Sequence, residues 1–178
     1  PTLTLGDGTA LYGSQAIVEY LDSLAPGGRS LYPASGPARW DALRRLALAD
    51  IMFEATTQLT TDDDYSDEPR PKFINWLWPK VKRCVSTMNT DAATEHAFDI
   101  GDAAAIHALT YLDVCVPNYV PEPVPRDYNW RAGSPDLEAW FDAAVQRPSV
   151  QSHFQQEYDG DDSAENCAAK VHEVLALR

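Results

Sequence analysis

"LYGSQAIVEYLDSL", residues 11–24, decides the fold, because a strand end runs into a helix with only Gly13 and Ser14 between them. Ile17, Tyr20, Leu21 and Leu24 fall at helical spacing after that turn. Serine is a common helix cap. A helix mouth also presents first-turn N–H groups that lack intrahelical acceptors, at the positive end of the dipole. Such a mouth suits an anion, and the identity of that anion becomes the functional question. Upstream, "TLTL" at 2–5 alternates as a strand, "GDG" at 6–8 signals a hairpin turn, and "ALYG" at 10–13 is the returning strand. Downstream, "APGG" at 25–28 stops the helix.

After a linker, "LYPASGP" at 31–37, everything reads as helix and loop. Pro37 opens a helix with Trp40, Leu43, Ala47 and Ile51 on one stripe, expected to reach about Leu59, where the acidic run "TDDDYSDEPRP" at 61–71 breaks it. A second helix is predicted from Lys72 to Met88, and Pro79 inside it is expected to kink or split it. In "AFDIGDAAAIHALTYLDV", 97–114, Asp99 is the expected N-cap and Asp102 the third helical residue, placed to reach back as in a capping box. Phe98 stands where a hydrophobic staple begins, and Ile106, Leu109 and Leu112 supply an inward face. The four prolines of "VPNYVPEPVPRDYNW", 116–130, predict an extended surface loop. "SPDLEAWFDAAVQRPS", 134–149, predicts a helix capped by Ser134, with Leu137, Trp140, Phe141 and Ala144 inward. "DGDDS" at 159–163 reads as a hinge before a last helix at about 164–177 holding Cys167, Val171, Val174 and Leu175.

The formal net charge of −13 argues against a nucleic-acid partner, which needs a basic face. Cys84, Cys115 and Cys167 are widely spaced and odd in number, so neither a disulfide framework nor a zinc site is indicated, and a cytoplasmic, reducing setting is expected. His96, His107, His153 and His172 show no metal-ligand spacing, and no metal is expected. "DDDYSDE" at 62–68 lacks the glycine and closing glutamate of a calcium loop and reads as a solvated charge run. Cys84 sits among apolar helix residues as a small hydrophobe, and His107, beside Ile106, reads as a satisfied core histidine. Trp40, Tyr111 and Trp130 are core residues by default, with a pocket or dimer seam as the alternative. No apolar run approaches the roughly 18 residues of a membrane helix, and no signal peptide is present. The predicted class is α+β, mostly α. A lone hairpin cannot bury its face, so further strands are expected upstream of Pro1, which is not a methionine, or from another chain.

At this point the chain resembles the glutathione transferase family. "PTLTLGDGTALYGSQAIVEYLDSL" followed by "SLYP" resembles the second half of its thioredoxin-like domain: a proline, a hairpin around a DG turn, a serine at the helix mouth, then an "AI-x-EYLD" helix. "RWDALRRLALAD" resembles the first helix of the family's helical domain, and "FDIGDAAAIHALTYLD" its buried, N-capped helix. "NWRAGSPDLEAWFDAAVQRPSV" resembles the closing segment of bacterial and fungal members. The resemblance implies a partial thioredoxin-like glutathione-binding domain at 1–30 (β-hairpin plus helix), a linker at 31–36, and an all-helical C-terminal domain at 37–178. It implies glutathione as co-substrate, a small hydrophobic electrophile as partner substrate, a homodimer, and attack by the glutathione thiolate that conjugates or reduces the electrophile.

Residue by residue, the resemblance gives Ser14 and the Gln15 N–H to the γ-glutamyl carboxylate of glutathione, which answers the question of the anion. Gly13 occupies a position where many members carry an acid or its amide, so it offers no partner to the ligand's amino group. Pro1 matches the family's cis-proline beside the cysteinyl unit. The family's catalytic Tyr, Ser or Cys lies upstream of that proline, so the catalytic residue is unknown. Two other readings stand beside the enzyme: a non-catalytic binding or scaffold member, as in the transferase-like region of a translation elongation factor gamma subunit, and a helical interaction domain with a vestigial hairpin.

Overall fold

The computed structural model describes residues 1–25, 30–65 and 70–154, with 62–65 and 152–154 described by backbone alone. The chain divides into two compact units, residues 1–29 with 146–178, and residues 30–145. The "DGDDS" hinge, the last helix and Cys167 and His172 lie outside the described residues, as do the side chains of the acidic run and of His153.

In the first unit, β1 (Thr2–Thr4) and β2 (Ala10–Tyr12) pair antiparallel, with Thr2 opposite Tyr12, Leu3 opposite Leu11 and Thr4 opposite Ala10. The turn is closed by Leu5 N–H on the Thr9 carbonyl at 2.8 Å and by the Asp7 carboxylate accepting from Thr9 N–H at 2.9 Å. Gly8, at φ +89, takes the left-handed backbone this turn requires. The first helix, α1 (Ser14–Ser23), follows β2 directly and packs against both strands. None of its residues is buried: of the residues at helical spacing, Ile17 and Tyr20 are half-buried, while Leu21 and the C-capping Leu24 stand exposed. A short helix, α6 (Pro148–Phe154), belongs to the same unit. It starts afresh at Pro148, which cannot extend the helix before it, where the sequence predicted one continuous helix.

The second unit holds the core. Its helices are α2 (Gly36–Tyr65), α3 (Pro71–Ala92), α4 (Ile100–Tyr119) and α5 (Pro135–Ala144), with a 3-10 turn at Trp130–Gly133. α2 packs against α4 and α3, and α3 against α5. Met52, Leu59, Ile74, Leu77, Val81, Ile106, Leu109 and Leu112 fill the interior. Burying each side chain of this size is worth about 1.5–3 kcal/mol, so this helical unit carries most of the stability of the described residues.

Several expectations change. α2 does not stop at Leu59 but continues to Tyr65, because a helix tolerates acidic residues once an apolar stripe anchors it. α3 runs unbroken through Pro79 rather than splitting. α4 continues through Pro117, and the proline-rich stretch after it is not wholly surface: Val120 and Val124 are buried, 0% and 2% exposed. Ser134 is the N-cap residue of α5, but its φ of −140° and ψ of 63° leave the hydroxyl without a capping bond. Residues 31–33 lie against the helices. Tyr32 is buried with Ala42, Leu46 and Ile100, and Ile100 N–H donates to the Leu31 carbonyl at 3.0 Å.

Candidate functional site

The mouth of α1 is built by the hairpin. β1 and β2 bring Pro1 beside Gly13, whose N–H donates to the Pro1 carbonyl at 3.1 Å. Gly13, not Ser14, is the N-cap: Ser14 is the first helical residue. Gly13 holds φ +82° and ψ 139°, a conformation open to glycine and costly for any residue with a Cβ. Nothing lies within 4 Å of where a Cβ would stand. The backbone angle alone therefore explains the glycine, and the sequence signal was its place immediately before the helix. No side chain caps α1, and Pro1, Gly13, Ser14 and Gln15 are all exposed. The four positions thus converge on an open, electropositive helix end with a hydroxyl beside it, a geometry that accepts a carboxylate.

The mouth of α4 is the opposite case. Asp99 accepts from Gly101 N–H at 2.8 Å, and Asp102 accepts from Asp99 N–H at 2.8 Å, closing a capping box. The second Asp99 oxygen takes the Arg45 guanidinium, which also reaches Asp41 one turn back on α2. Asp102 also bonds His96 Nε2 at 2.9 Å, while His96 Nδ1 lies 2.8 Å from the Thr94 carbonyl. Desolvation pushes the Asp99 carboxyl above its ordinary value, and Arg45 pulls it part of the way back. Neither Arg45 nor His96 showed in the local sequence pattern, since Arg45 lies 54 residues from its partner. Gly101 is fixed by the same approach: a Cβ there would stand 2.6 Å from Arg45 Cβ and 2.9 Å from the Ala42 carbonyl oxygen.

His96, Asp99 and Asp102 bring three potential metal-ligating atoms within 4.8 Å of one another. They do not fit a cation. Each carboxylate is already spent on backbone N–H groups and on Arg45 or His96, and the arginine places fixed positive charge against Asp99. The arrangement is a structural lock.

Among the described residues, the two cysteines are poorly suited to nucleophilic work. Cys84 and Cys115 are buried, and burial pushes both thiols up; Arg83 and Lys80 offset this only in part at Cys84, and a Tyr111 hydrogen bond only in part at Cys115. His107 is not a core residue. It is exposed on α4 with its ring 4.9 Å from that of Phe53 on α2, and desolvation lowers its pKa despite Asp50. Tyr111 packs on the same phenylalanine at 4.6 Å. Trp130 is core: it is 2% exposed, donates to Asp113 at 2.8 Å, lies edge-on to Phe141 and carries the Arg131 guanidinium over its face. Trp40 is 70% exposed, so the core role fails for it.

No family model and no curated protein matches this sequence. Solved structures do match. A glutathione transferase family member from Pseudomonas fluorescens Pf-5, with bound glutathione, is 30% identical over 85% of this chain and 71% of its own, with a TM-score of 0.72. A glutathione S-transferase from Methylobacillus flagellatus KT with glutathione bound is 27% identical over 85% and 73%, with a TM-score of 0.74. One from Methylobacterium radiotolerans JCM 2831, in complex with glutathione sulfonate, shares the fold at 21% identity and a TM-score of 0.73 over 92% and 76%. The hairpin running into an uncapped helix, the N-capped α4 beneath α2 and these relatives agree: the chain belongs to the glutathione transferase family.

Proposed function

We propose that this chain binds glutathione at the mouth of α1 and serves a transferase reaction on a small hydrophobic electrophile. The observation that carries this is the Gly13–Ser14 geometry: an exposed helix N-terminus with no side-chain cap, a hydroxyl at its first position, and the Pro1 backbone alongside. In this reading the Ser14 hydroxyl and the Gln15 N–H hold the γ-glutamyl carboxylate, assisted by the helix dipole. Residues 1–30 act as a partial thioredoxin-like glutathione-binding domain, 31–36 connect, and the helices that follow, expected from sequence as one domain over 37–178 but divided after Val145 in the structure, supply the electrophile site. The chemistry is formation of a sulfur–carbon bond by the glutathione thiolate, the thiol proton leaving to a base and the displaced group departing with its electron pair. We place the protein in the cytoplasm as a homodimer. No helix among the described residues is long and apolar enough to cross a membrane.

Gly13 favours a second reading, a family member that binds without turning over, since it presents no carboxylate to the ligand's ammonium group. Calorimetric titration with glutathione, paired with a conjugation assay on an activated aryl halide, separates the two. Saturable binding with turnover supports the transferase, and binding without turnover supports the scaffold. In either case Ser14→Ala should weaken binding about 10- to 150-fold, the loss of one hydrogen bond to a charged group. Because Ser14 makes no capping bond, that variant should keep its stability within about 0.5 kcal/mol. Absence of glutathione binding by the unmodified chain would overturn both readings.

A further inference from the structure

We propose that His96 is a pH-sensitive latch: while its ring carries both protons it ties the connection between α3 and α4 to the N-terminus of α4 by two hydrogen bonds, and it keeps only one when it loses a proton. Nδ1 faces the Thr94 carbonyl at 2.8 Å, and Nε2 faces the Asp102 carboxylate at 2.9 Å. Both partners are acceptors. A neutral imidazole has one N–H, so it can serve only one of them and must turn a lone pair toward the other. The imidazolium serves both. The latch is independent of the glutathione reading.

The surroundings favour the charged ring. On its own connection stands Glu95; from α4 come Asp102 and Asp99; from α3, Asp91; from α5, Asp136 across the cleft. Against them stands Arg45 of α2, but its charge is engaged by Asp41 and Asp99, while Asp91 is engaged by Arg44. Burial disfavours the protonated ring, and the bonds to Asp102 and Thr94 outweigh it, so the His96 pKa is raised from its ordinary value. A cleft of about 480 Å³, lined by Thr94, Glu95, Phe98, Asp136 and Trp140, reaches His96 and gives water and protons access. A group whose folded pKa is raised lends stability that is complete below the unfolded value, 6.5 for histidine, and is lost as pH climbs through the higher folded value. The latch therefore loosens as pH rises through a folded value above 6.5.

Two measurements on the full chain test this. An NMR titration of the imidazole Cε1–H signals, with His96 identified by its loss in His96→Gln, should place its midpoint above the ordinary histidine value. Amide hydrogen exchange, corrected for intrinsic rates, should show protection at Asp99 and Ile100 falling about tenfold between about pH 6 and pH 8.5, the scale of one charge-assisted hydrogen bond. In His96→Gln the same amides should show no such pH dependence. A His96 midpoint below the ordinary value, or an equal alkaline loss in the variant, would overturn the latch.

Discussion

Two helix mouths in this molecule solve the same problem in opposite ways. α4 begins with its backbone donors met by side chains: Asp99 and Asp102 cap each other's backbone, Arg45 pairs with Asp99, and His96 bonds Asp102. α1 begins at a glycine with no side chain, beside an exposed serine, and no side chain caps it. α4 lies in a packed interior, where an unmet polar group would cost about 1–3 kcal/mol. α1 has no buried residue at all. The contrast teaches that a bare helix N-terminus on an open surface can be tolerated and used, whereas the same end inside a core must be closed by the protein itself.

The comparison can be broken from either side. The largest effect belongs to the closed mouth. Asp99→Ala strips a cap and leaves Arg45 buried, which should cost about 3–5 kcal/mol in denaturant unfolding. Asp99→Asn, which keeps the cap but loses the charge pairing, should cost less. Gly101→Ala should follow at about 1–3 kcal/mol, because its methyl meets Arg45 Cβ and the Ala42 carbonyl, part of a backbone that cannot yield. At the open mouth, Gly13→Ala should cost about 1–3 kcal/mol, and from backbone strain alone, since there is space for the methyl itself. If Gly13→Ala proved neutral, the positive φ would not be the reason for that glycine. If Gly101→Ala proved neutral, α2 and α4 would not approach as closely as described.

How far the sequence reaches follows from the range of each interaction. The Asp99–Asp102 arrangement is local, three residues apart, and so its geometry is written in the spacing. The hairpin and the entry to α1 are local too. Arg45 is invisible to such reading, because its partner is distant along the chain and arginines on an amphipathic helix ordinarily face water. His96 is hidden for the same reason: its two acceptors become visible only when the connection folds back onto α4. The prolines of 116–130 suggest a surface path, while the valines between them, Val120 and Val124, turn inward. Ile106 points inward and its neighbour His107 does not, a difference of one helical step. Gly13 offers a ligand's amino group no partner, and its backbone angle supplies a reason for the glycine that needs no ligand.

On the function proposed above, the open mouth of α1 receives the carboxylate end of glutathione. Amide chemical-shift mapping of the labelled chain during glutathione titration tests it most directly. The predicted result is saturable shifts concentrated at Gly13, Ser14, Gln15 and Ala16, with the α4 mouth at 99–103 unmoved. Shifts that spare the first turn of α1, or none at saturating glutathione, would contradict it.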